Sequence, residues 1–150
     1  MDTMDVKGQA SVEYLLLALV FLIIIGTVSV PLIGNTIINS EDVSHSSDAS
    51  AAINSIANAV GVVYSNGPGA VRTINVYFSR GGTLDYNSAN STIEMPVNLT
   101  STGTNKVIDA NVPIAVSFNP SAKVNNLTNY NATVTWPDST NTINVALTQS

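Results

Sequence analysis

Residues 14–40 contain no Asp, Glu, Lys or Arg. Within that run, Leu15-Leu16-Leu17-Ala18-Leu19-Val20-Phe21-Leu22-Ile23-Ile24-Ile25 is apolar at every successive position. A helix built from it is apolar all round and has to be buried all round, in lipid or among other helices. At about 1.5 Å per residue the uncharged run reaches roughly 40 Å, enough for a bilayer core of about 30 Å.

A secretory signal places positive charge first, then about 7 to 15 apolar residues, then a small-residue cleavage site. This chain departs from that plan. The apolar run is too long, no Ala-x-Ala-like site ends it, and the segment before it mixes Lys7 with Asp2, Asp5 and Glu13. A processing cut makes sense before the run, which would then stay in the product.

The other residues set limits on function. A chain of 150 residues with 45% hydrophobic content accommodates one domain with a modest core plus an appendage. Five Lys and Arg against ten Asp and Glu leave no basic patch suited to nucleic acid. Absence of cysteine removes disulfides, thiolate metal sites and thiol catalysis. There is one His, no Gly-x-Ser-x-Gly, no phosphate loop and no paired-carboxylate motif, so neither an enzyme nor a cofactor or metal site is expected. His45 reads as a solvated polar residue near a helix start. Asp85, Asp109 and Asp138 read as turn residues whose role is capping and solvation rather than calcium binding.

The nonapeptide Lys7-Gly8-Gln9-Ala10-Ser11-Val12-Glu13-Tyr14-Leu15, followed at once by the apolar run, resembles the processing site of archaeal type IV pilins with class III signal peptides. The resemblance is strong over residues 7 to about 40, weak through the following helix, and says little about the particular surface of the C-terminal half. It implies that a membrane prepilin peptidase cuts between Gly8 and Gln9, removing a leader of residues 1–8. It further implies that Glu13 pairs with the freed amine of Gln9 on a neighbouring subunit and so sets register. If Gln9 cyclises to pyroglutamate, only hydrogen bonding remains there.

The precursor would be held in the cell membrane. A pilus assembly ATPase and a membrane platform protein would then build it into a homo-oligomeric helical filament, extracellular, adhesive and commonly glycosylated. The alternatives are a membrane-anchored surface-binding protein that does not polymerise, or a minor pilin or archaellin-like subunit. Pro31, with Gly34 after it, predicts either a kink or loosened turn in the helix or the end of the membrane span.

Beyond Glu41 and Asp42, the apolar residues Val43, Ala49, Ile53, Ile56, Val60 and Val63 follow a mainly three-and-four spacing. That spacing predicts an amphipathic helix with one face on a sheet. The segment Tyr64-Ser65-Asn66-Gly67-Pro68-Gly69 is a stop signal. Thereafter the period changes to two. Ile74, Val76 and Phe78 form one set, Val112, Ile114, Val116 and Phe118 a second, Tyr130, Ala132, Val134 and Trp136 a third, and Ile143, Val145 and Leu147 a fourth. Residues 92–99 predict a weaker strand. Residues 80–87, 119–126 and 137–141 read as turns.

The expected fold is α+β: a long N-terminal hydrophobic helix followed by a small antiparallel β-sandwich or barrel. Its parts are a leader (1–8), a helix (9–64, apolar over 14–40 and amphipathic over 42–64) and a β-rich head (65–150). Asn90, Asn98, Asn126 and Asn131 each begin an Asn-x-Ser/Thr acceptor sequence in the head. Strand alternation turns Asn98 and Asn131 away from the core. Tyr77, Tyr86 and Tyr130 read as core or strand packing ahead of ligand contacts.

Overall fold

A computed structural model describes the backbone of residues 5–120 and 122–150, and the side chains of residues 11–29, 31–120 and 122–150. The fold is α+β, with one long N-terminal apolar helix followed by antiparallel-rich sheets. The chain divides into two compact units, Met1–Ser40 and Glu41–Ser150.

Helix α1 spans Asp5–Asn66 and contains Pro31. The helix continues through Pro31 and Gly34. In the first unit the large apolar side chains of α1 are exposed on every side, from Val12 through Phe21 to Ile37. The helix is long and apolar enough to cross a membrane by length and composition.

In the second unit the same helix becomes one-sided. Its buried positions are Asp42, Ser46, Ala49, Ala52, Ile53, Ile56, Ala57, Ala59, Val60 and Val63. Seven of these, at 42, 46, 49, 53, 56, 60 and 63, alternate steps of four and three, which keeps them on one face. Val43 was expected on that face and is instead exposed, because Asp42 and Ser46 occupy it. Apolar residues alone therefore gave the wrong start to the stripe. The helix stops where Gly67 takes φ of 87° and its N–H donates to the carbonyls of Val63 and Tyr64 at 3.2 and 3.3 Å. Glycine adopts that left-handed conformation without a Cβ penalty.

Among the described residues nine strands follow: β1 (Val71–Phe78), β2 (Gly82–Thr83), β3 (Asp85–Asn87), β4 (Thr92–Leu99), β5 (Thr104–Asn111), β6 (Val116–Phe118), β7 (Lys123–Val124), β8 (Thr128–Thr135) and β9 (Ile143–Gln149). They form three sheets, ordered β1-β8-β9-β6, β2-β7 and β3-β4-β5. In the first sheet Ala132 of β8 stands between Ile74 of β1 and Leu147 of β9. Alternation along these strands sends Val76, Phe78, Tyr130, Val134, Ile143 and Val145 into one core with the buried face of α1. Burying each large aliphatic side chain fully contributes about 1.5–3 kcal/mol.

Several elements depart from the sequence expectations. The set from Val112 to Phe118 is not one strand. Pro113 lies in a bend, and only Val116–Phe118 forms β6. Val112 instead extends the β5 side, its N–H donating to the Ser91 carbonyl at 2.9 Å. Strand β5 was not expected at all, yet Ile108 and Ala110 carry the same inward phase as Val112. Asp109 consequently lies within β5 and not in a turn.

Two of the expected turns hold short strands: β2 and β3 lie within 80–87, and β7 within 119–126. Strand β6 pairs with β9 in parallel, a pairing that the long intervening connection through β7 and β8 allows. Gly81 permits a close approach to β7, since a Cβ there would come within 2.8 Å of the Val124 carbonyl oxygen.

Candidate functional site

The expected cut lies at the edge of what can be described. Residues 1–4 of the expected leader, and the surroundings of Gly8 and the side chain of Gln9, lie outside the described residues. The Glu13 side chain is described and is exposed at the start of the apolar stretch. A carboxylate buried there without a partner would cost several kcal/mol, so this position requires water, a proton or a cationic group wherever the helix is enclosed. Pro31 and Gly34 sit inside α1, whose hydroxyls nearby are satisfied locally: Thr27 Oγ1 donates to the Ile23 carbonyl at 2.8 Å, and Thr36 Oγ1 to that of Leu32 at 2.9 Å.

The best-defined polar constellation in the second unit gathers around Asp42. Its carboxylate accepts the Thr100 N–H through Oδ1 at 2.9 Å and the Ser101 N–H through Oδ2 at 2.7 Å. The Arg80 guanidinium stands 3.7 Å from Oδ1, donates to the carbonyl of Asn98 and donates to Thr100 Oγ1 at 2.8 Å. Helix and guanidinium thus grip the turn between β4 and β5 together.

The backbone N–H of Ser101 contributes most to holding the Asp42 pKa down, at about 2 from an ordinary 3.8; the Ser101 hydroxyl, the Thr100 N–H and Arg80 add to it. Such a group is an anchor that stays ionised at neutral pH, not a proton donor. Nothing in an apolar-periodicity reading could find it. The available signal was the phase, because Asp42 is one step of four before Ser46 and then one of three before Ala49.

His45 is half-buried, which corrects the expectation of a solvated residue. Its Nδ1 lies 2.9 Å from Oγ of the buried Ser79. Among the described residues no carboxylate engages the other ring nitrogen, so the pair lacks the third group that orients a catalytic histidine. Among the described residues no group of three or more His, Cys, Asp or Glu could hold a metal ion.

The four acceptor asparagines occupy different settings. Asn90 is exposed in the turn between β3 and β4. Asn98 is exposed on β4, its Nδ2 donating to Asn105 Oδ1 at 3.3 Å. Asn126 is exposed and its Oδ1 accepts the Gly81 N–H at 2.5 Å. Asn131 is half-buried on β8, between β1 and β9, and accepts from Asn75 Nδ2 at 3.3 Å.

The tyrosines divide as well. Tyr130 is buried edge-on to Phe78, with its hydroxyl accepting the Asn125 N–H at 2.8 Å. Tyr86 packs against the core and Tyr77 is exposed on β1. In comparisons with known proteins, no family model, no curated protein and no solved structure matches the chain.

Proposed function

We propose that the chain is a pilin, the structural subunit of an archaeal type IV pilus-like adhesive surface filament. It is made as a membrane-held precursor, cut between Gly8 and Gln9 by a prepilin peptidase, and polymerised through its apolar helix by an assembly ATPase and a platform protein. One observation carries this reading. In the first unit the large apolar side chains of α1 are exposed on all sides, while the second unit has a core of its own.

A helix of that kind needs apolar neighbours around its whole circumference. Lipid supplies them in the precursor, and other copies supply them in a filament. Moving from lipid to protein gains little hydrophobic free energy, so close packing and active extraction have to drive assembly. Glu13, at the edge of the stretch, then pairs with the Gln9 amine of the adjacent copy. Glycans on the head supply hydration in a chain that has no cysteine for disulfides.

The same exposed helix supports a second reading, a membrane-anchored surface-binding protein that does not polymerise. Fractionating cells that express the unsubstituted chain and a Gly8→Asp variant separates the two. The filament reading predicts that the unsubstituted chain is recovered in sheared filaments and that the variant accumulates unprocessed in the membrane. A normal mature filament subunit from the Gly8 variant would sink it.

A further inference from the structure

Two eight-residue strands of the second unit end their sheets with an open edge. Among the described residues, strand β1 pairs only with β8, and β5 only with β4. Among the described residues, neither strand makes a backbone hydrogen bond outside those ladders. An open edge of this length is a template for another strand unless it is blocked. On β1 it is flanked by a groove lined by Ser55, Asn58, Ala59 and Val62 of α1 and by Arg72 and Ile74 of the strand. The groove leaves room for the side chains of an added strand.

Charge and shape single out the occupant. Arg72 on β1 and Asp109 on β5 are both exposed, and neither has an ion-pair partner among the described residues. Laying β5 antiparallel along the open edge of β1 with Arg72 opposite Asp109 brings Ile74 opposite Val107, which is 53% exposed. A one-residue slip would turn both matches to opposite faces, and a parallel arrangement would lose the second.

We infer that the head domains of successive copies join by strand addition, β5 of one copy completing the β1 edge of the next in this register. Resting on the filament reading, it adds a head-to-head contact to the helix packing. The contact uses two different surfaces, so it is heterologous, and in a filament it repeats from copy to copy. Cross-strand opposite charges and apolar pairs are the units that stabilise such a pairing.

Because the chain has no cysteine, introduced thiols report the register without background. Asn75 and Lys106 are opposite in it, at a Cα separation of about 4.5–5.5 Å that suits a disulfide. Sheared filaments of an Asn75→Cys/Lys106→Cys chain should, after oxidation, give a ladder of covalent multimers that collapses to monomer on reduction. Asn75→Cys/Asn111→Cys, which is out of register, should give none.

Filaments that form normally but yield only monomers would overturn strand addition and leave the filament reading standing, as would equal ladders from both pairs. No filaments from the unsubstituted chain would remove both. If the thiol variant fails to assemble, charge reversal decides. Arg72→Asp and Asp109→Arg should each lower filament yield several-fold, and the double reversal should restore it; unaffected single variants, or a double variant that is not restored, would overturn the inference.

Discussion

Asp42 Oδ2 accepts the backbone N–H of Ser101 at 2.7 Å across 59 positions of sequence. With the neighbouring bond from Thr100, it fastens α1 of the second unit to the turn between β4 and β5. Its depressed pKa makes the contact pH-dependent in a definite direction. The stabilisation is fully present above the ordinary value of 3.8 and is lost as pH falls through about 2.

An Asp42→Asn variant keeps one acceptor oxygen but points an amide donor at a backbone donor. Thermal unfolding of the full chain in detergent should show a lower Tm for the variant at pH 7. The difference from the unsubstituted chain should shrink as pH falls from about 4 toward 2. A difference that stays constant over that range would show that the charge contributes nothing.

The corrected helix phase makes a sharp contrast between two apolar residues of α1. Ile53 is fully buried and Val43 is exposed. Ile53→Ala should destabilise the second unit by about 2–5 kcal/mol. Val43→Ala should change it by no more than about 0.5 kcal/mol. Denaturant titration followed by fluorescence of the one tryptophan, Trp136, which stacks on Tyr64 at 5.5 Å, reads both.

How far the fold is legible in the sequence depends on what kind of residue carries the information. The apolar run and strands β1, β8 and β9 are visible because each repeats one residue class at one period. The helix stop is visible because Gly67 is required by its backbone conformation. Strand β5 is hidden because only Ile108 and Ala110 in it are buried, and its other six residues are exposed. Asp42 is hidden because a polar residue in a buried stripe has no apolar signature, and its partners lie in a turn far along the chain. The pairing of His45 with Ser79, 34 positions apart, is hidden for the same reason.

Glycan occupancy should follow accessibility at the acceptor nitrogen. Asn90 is in an exposed turn, and Asn131 is half-buried within the sheet and bonded to Asn75. Peptide mapping of mature material should find Asn90 modified before Asn131. The reverse order would show that the β8 face is more open than its neighbours allow.

Glu13→Ala should separate processing from assembly. The cleaved chain should still appear in membranes, with filament yield strongly reduced, because on the filament reading the Gln9 amine of the next copy would lose its partner. Immunoblots of membrane and sheared fractions check this. Unchanged filament yield would mean that Glu13 is only a membrane-flanking charge.

The most direct test of the central claim is mass spectrometry of the N-terminus of material sheared from cells. The account predicts intact filaments whose subunit begins at Gln9, as free glutamine or pyroglutamate, and retains the whole apolar stretch. A chain that still carries Met1, or one recovered only from membranes, would contradict it.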